Sequence, residues 1–170
     1  MIVQGLNHKA GFLLLFIVTT GLLGFGYFLE YYYHLIPCPL CMTQRICFGI
    51  ICMISLLGLF FATPAKMYPK TYLVLFLTAL LGALLAGRQI WIQHLPEDKI
   101  PACGPDLSYL IQEFPLADVI NAMFAGDGNC AEAVWSFLGL NVAEWSLLWF
   151  IIIAFFTLKQ LFKKKPKNTF

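Results

Sequence analysis

The chain has 170 residues, 60% of them hydrophobic and only 12% charged, with a net charge of +2. A soluble domain of ordinary composition carries about 25% charged residues, so this chain reads as a membrane protein. The slight positive balance comes from a basic C-terminal tail that suits anionic lipid headgroups, and nothing in it calls for a nucleic-acid partner.

Four runs are long enough to cross a bilayer as helices, which takes roughly 20 apolar residues. The first covers residues 10–29, "AGFLLLFIVTTGLLGFGYFL". It is too long for the apolar core of a signal peptide, and no small-residue cleavage pattern follows it. The second covers residues 42–62, the third 71–92 and the fourth 145–162. Each is continuous rather than alternating, which argues against barrel strands, and lipid leaves helices as the way to satisfy the backbone. The expected fold is therefore an all-α membrane protein, a single domain over residues 1–170 built as a four-transmembrane-helix bundle. Residues 30–41 and 93–144 form the two loops on one side. No internal repeat or low-complexity tract is present.

Charge sets the orientation. Lys9, Lys66, Lys70, Lys159, Lys163, Lys164, Lys165 and Lys167 fall on one side, eight of the eleven basic residues, and all nine acids, from Glu30 to Glu144, fall on the other. The positive-inside rule makes the basic side cytoplasmic, with both termini there.

The six cysteines sort by the same division. Cys38 and Cys41 lie in the short outer loop, Cys103 and Cys130 in the long one, and Cys47 and Cys52 inside the second span. The last two read as small buried hydrophobes. Outward cysteines in a disulfide-permissive compartment are bonded or exchanging bonds. Cys-x-x-Cys alone serves zinc, haem or redox chemistry. Met42 stands where haem attachment needs His, and Cys103 and Cys130 are too far apart in sequence for a tight zinc couple, so the expectation is no metal.

The redox reading gains from local chemistry. A helix starting near Cys41 places that thiol at a positive dipole end, and Arg45 lies one turn on, along the same face. Both favour a thiolate. Pro37 and Pro39 stiffen the approach. Arg45, a charge one turn inside a span, reads either as a snorkelling residue or as a group that polarises an electron-rich partner beside the thiolate. Cys103 and Cys130 read equally well as a loop staple, worth roughly 3–4 kcal/mol for a loop of about 28 residues, or as an exchangeable disulfide. Arg88 and Gln89, in "AGRQIWIQHLP", are candidates to line a pocket at the outer end of span three, with Trp91 as a belt residue the plainer alternative. His94 faces water on its bland reading and relays protons on its sharper one.

These motifs together resemble the DsbB family of bacterial inner-membrane proteins. The likeness rests on "PCPLCMTQR" opening span two, the outer cysteine pair after span three, and "GNCAEAVWSFLGLNVAEWSLLWF" leading into span four. The resemblance implies a multi-pass enzyme of the inner membrane, a quinone-dependent protein thiol–disulfide oxidoreductase. It implies that a periplasmic thioredoxin-like DsbA-type oxidase is reoxidised by passing two electrons through two cysteine pairs to the membrane quinone pool, ubiquinone or menaquinone. In that analogy the partner attacks a Cys103–Cys130 disulfide through Cys103, and Cys130 joins Cys41 transiently. Cys41 then meets the quinone, with Arg45 on a quinone oxygen. A short interfacial helix is expected within residues 107–124. Two other readings compete: a quinone redox protein of the vitamin K epoxide reductase type, which usually carries its Cys-x-x-Cys late in the bundle, and a disulfide-stapled scaffold, which has no need of Arg45.

Overall fold

The computed structural model describes residues 2–34, 37–61, 67–104, 107–131 and 135–162. Lys66, Lys163, Lys164, Lys165 and Lys167, on which much of the charge argument rests, lie outside the described residues. Four long helices carry the fold: α1 Ile2–Tyr33, α2 Pro39–Phe60, α3 Tyr68–Gln93 and, last in the chain, α6 Val142–Leu161. All four are long and apolar enough to span a membrane. Leu13, Ile17, Leu77, Leu84, Ile151 and Phe155 remain exposed on their outward faces, as lipid-facing side chains are.

Packing runs α1 against α2, α2 against α3 and α3 against α6. With little hydrophobic gain available between helices in lipid, close approach depends on small residues. Gly82 of α3 is the clearest case: a methyl group there would lie 2.3 Å from the ring of Phe150 on α6. Phe150 in turn stacks on Phe48 of α2, centroids 4.0 Å apart, which draws a third helix into the same core. Threonines in the spans return their hydroxyls to carbonyls four residues back, Thr19 to Leu15 at 2.7 Å and Thr157 to Ile153 at 2.8 Å, which satisfies these two donors within their own helices.

The long connection between α3 and α6 is folded onto one end of the bundle. It carries α4 Leu107–Glu113 and α5 Leu116–Ala125. The expected single interfacial helix is therefore two, parted at Phe114 and Pro115, because proline at that point cannot continue the first helix. Val119 of α5 is buried, and the Thr43 hydroxyl on α2 lies 3.2 Å from the Met123 carbonyl, to which it donates. Gly126 ends α5 with φ +71°, and a side chain there would also strike Leu40 and Ile92.

A hairpin follows, β1 Ser136–Phe137 paired antiparallel with β2 Leu140–Asn141. Its turn residues Leu138 and Gly139 both have positive φ, 53° and 80°, the geometry of a two-residue hairpin. Asn141 then opens α6 with a reciprocal cap: Glu144 N–H donates to Asn141 Oδ1 at 3.0 Å, and Asn141 N–H to Glu144 Oε2 at 2.7 Å.

Candidate active site

α2 starts at Pro39, ahead of the predicted Met42, and this shift organises the site. Cys38 becomes the helix N-cap, and its sulfur accepts the Cys41 backbone N–H at 3.3 Å. Proline fits directly after the cap because its missing N–H is one the helix would leave unbonded. Cys41 is then inside the first turn, and the two sulfurs lie 2.8 Å apart. All six cysteines are free thiols in this structure.

Cys130 is completely buried, whereas Cys103 is exposed. Cys103 rests against Gly128, where a methyl group would lie 2.9 Å from its sulfur. The resemblance pointed Cys130 at Cys41. In this structure the Cys130 sulfur donates to Asp127 Oδ1 at 3.7 Å, and Cys38 is the neighbour that acts most on its titration. A hydrogen bond from the Cys38 thiol, with help from backbone N–H groups, holds the Cys130 thiol below the usual range. The same bond, the bond to Cys41 and burial push the Cys38 thiol far above its usual range. Cys38 is thus the proton-bearing middle member of a row Cys130, Cys38, Cys41.

Cys38 and Cys41 both border a cavity of about 340 Å³. Leu22 and Leu29 of α1, Phe48 of α2 and Trp149 of α6 supply apolar walls, and Trp135, Phe137 and Trp145 lie toward the hairpin. Polar side chains in the lining include Gln44, Arg45, Glu30, Gln89, Gln93 and Asn141, with Asn129 and Ser146. Asn141 Nδ2 donates to Gln93 Oε1 at 3.0 Å, which fixes the start of α6 to the end of α3.

Arg45 lines this cavity with its charge already paired. Nη1 donates to the Glu30 carboxylate on α1, and Nη2 to the Gly26 carbonyl at 3.1 Å. Its guanidinium carbon also stands 5.0 Å from the Tyr27 ring centroid, a cation–π contact. A charge at this depth needs such a partner.

Gln89 and Arg88, adjacent in sequence, part company. Gln89 is buried, and its Nε2 donates to the Cys41 sulfur at 3.2 Å and the Cys38 sulfur at 3.6 Å. Arg88 points away from the cavity, and its Nε donates to the Ala125 carbonyl at 2.8 Å, pinning α5 to α3. His94 is exposed and bonded to the Ile90 carbonyl. Cys47 is buried in the core, and Cys52 meets the Thr20 hydroxyl at 3.4 Å. Sequence reasoning missed Gln44 and Glu30. An amide beside Arg45 at the start of an oily run was a usable signal for the first; nothing along the chain pairs Glu30 with Arg45.

Four span-length helices around a cysteine centre define a multi-pass membrane protein, and the comparisons with known proteins say which. The family model for "Disulfide bond formation protein DsbB" matches residues 8–160. Disulfide bond formation protein B of Hahella chejuensis is 45% identical over 152 residues, 86% of this chain and 88% of that one. The protein of the same name from Azoarcus sp. is 40% identical over 168 residues, 98% of this chain and all of the other. No solved structure gives a significant match. The chain belongs to the DsbB family and takes part in disulfide bond formation.

Proposed function

We propose that this protein is an inner-membrane, quinone-dependent thiol–disulfide oxidoreductase that reoxidises a periplasmic DsbA-like oxidase. The observation that carries the reading is the Cys38–Cys41 pair, sulfurs 2.8 Å apart, at the wall of an apolar cavity between α1 and α6. Both termini are assigned to the cytoplasm on the charge distribution. In this reading a partner thiolate attacks Cys103 of a Cys103–Cys130 disulfide and releases Cys130 as thiolate. Cys130 then attacks Cys38 of a Cys38–Cys41 disulfide: the Cys130–Cys38 bond forms, the Cys38–Cys41 bond breaks, and the electron pair stays on Cys41. That order follows from burial of Cys130 against Cys38, and it leaves Cys41 free at the cavity wall.

The cavity suits a quinone head group. Its walls are apolar, its hydrogen-bond donors are gathered near Cys41, and it opens between two helices that are not closely packed along this stretch. A bound quinone supplies a two-electron sink. Cys41, Arg45 and Gln89 would hold it; Arg45 keeps donors to spare beyond Glu30 and Gly26, since a guanidinium has five. Arg88 stands outside the lining and serves α5 instead.

The test is oxidation of a reduced thioredoxin-like partner by purified protein with ubiquinone or menaquinone. Turnover should require quinone and vanish in Cys41→Ser. Undiminished quinone-dependent turnover in that variant would refute the assignment.

A further inference from the structure

Gln89 meets the sulfurs with one end of its amide and Gln44 with the other. Gln44 Nε2 donates to Gln89 Oε1 at 2.7 Å, and both side chains are about as buried as the core, 3% and 4% exposed. The single carbonyl oxygen of Gln89 is thereby committed, so the end facing the cysteines is the NH₂ group, which only donates. Turning Gln89 over would set two buried NH₂ groups face to face and lay an acceptor against sulfur lone pairs. Gln44 and the sulfurs therefore select the same orientation. The loss of any member removes a hydrogen bond from a side chain about as buried as the core.

The donor is also unequally placed, 3.2 Å from Cys41 and 3.6 Å from Cys38. The Cys38 thiol, whose single proton serves Cys41 or Cys130 at any one time, lies 2.8 Å from the Cys41 sulfur.

We propose that Gln44 is a positioning residue which, through the amide of Gln89, keeps hydrogen-bond donors aimed at Cys41, so that Cys41 rather than Cys38 takes the electron pair when the bond between them opens. In that step a thiolate bonds to Cys38, the Cys38–Cys41 bond breaks, and the negative charge appears on the sulfur that Gln89 faces. No proton moves in it; the amide stabilises the leaving sulfur. The inference rests on the redox reading of the pair, but concerns only this chain's own thiols and is testable without quinone.

The experiment uses full-length protein in detergent, fully reduced, with limiting iodoacetamide and mass-spectrometric mapping of the modified cysteines. Gln44→Met removes the donor to Gln89 at nearly constant volume. It should lower the ratio of Cys41 to Cys38 modification about tenfold, the effect of roughly one hydrogen bond to a charged sulfur. The equilibrium of the Cys38–Cys41 pair against a reference dithiol should move about tenfold toward the disulfide, about 30 mV. Gln89→Met should do the same, and Gln44→Met should add nothing in that background, because it acts through Gln89.

Should Gln44→Met fail to accumulate, Gln44→Asn keeps an amide but withdraws it from Gln89, and the same shift is expected. An unchanged modification ratio in either Gln44 variant, or additive effects in the double variant, overturns the relay. The two readings fail separately. A lost relay with turnover that still depends on Cys41 removes this inference alone, whereas turnover independent of Cys41 removes the proposed function whatever the ratio does.

Discussion

The two ends of the bundle are built on opposite plans. At one end, Phe12 of α1 stacks on Tyr72 of α3 with centroids 5.0 Å apart, and both are fully buried. His8 stacks on Tyr68 at 4.4 Å, and Gly11 lets α1 abut Phe156 and Gln160 of α6. At the other end, α1 and α6 are separated by a cavity, and Arg45, Glu30, Gln44 and Gln89 are among the side chains that line it. The first end joins α1 to α6; the second holds them apart. The cavity end carries buried polar groups, an arrangement that is not optimal for stability alone.

The comparison breaks most sharply at Cys130. Cys130→Ala interrupts the sulfur row between partner and bundle, so oxidation of a thioredoxin-like partner should fall roughly a thousandfold or more. A small dithiol that reaches Cys38 and Cys41 directly should still be oxidised with quinone, and thermal unfolding should change little. At the closed end the pattern reverses. Phe12→Ala should lower stability by about 3 kcal/mol, as truncation of a buried aromatic does, while the ratio of Cys41 to Cys38 alkylation stays as it is. Thermal unfolding in detergent, run beside the alkylation assay, separates the two.

Much of this was legible in the sequence, and what escaped has a common cause. The four spans follow from run length and hydropathy, which are local properties. The importance of Cys38, Cys41 and Arg45 follows from spacing along a helix. Contacts between helices do not follow from spacing. Glu30 and Arg45 are on different helices, as are Gln44 and Gln89, and no period relates them. Arg88 and Gln89 looked alike as candidates because neighbours in sequence differ by about 100° around a helix, enough to send one into the site and the other to the Ala125 carbonyl. The resemblance directs Cys130 to Cys41; that the helix starts at Pro39, leaving Cys38 as its cap, is a shift that hydropathy alone does not give.

A milder change tests how the cavity end tolerates its charge. Arg45→Ala should raise the Michaelis constant for quinone about tenfold, the loss of about one good hydrogen bond in binding, with partner thiols still exchanging normally. Glu30→Gln keeps Arg45 but frees its guanidinium from the carboxylate, and should change the same constant by a smaller factor, about threefold. The pair is part-exposed, and such ion pairs are worth little on their own. An unchanged Michaelis constant in Arg45→Ala would leave Arg45 as a structural residue only.

The smallest effect expected lies in the proton that Cys38 shares with its neighbours. The Cys130 thiol is held below its usual range mainly by its interaction with Cys38, so Cys38→Ala should raise the Cys130 titration midpoint toward the ordinary thiol range. The Cys130 Cβ chemical shift, followed against pH, reads this without needing a reagent to reach a buried sulfur. The sign carries over to stability. A depressed thiol binds fewer protons folded than unfolded, so its contribution grows as pH rises through the folded midpoint and levels off above the unfolded one, near 9. The raised Cys38 thiol contributes in the opposite sense, fully below about that pH and progressively less above it. Removing Cys38 therefore flattens the pH dependence of unfolding on both sides at once. A midpoint for Cys130 that does not move would mean the two sulfurs do not share that proton, and the middle link of the row would have to be sought elsewhere.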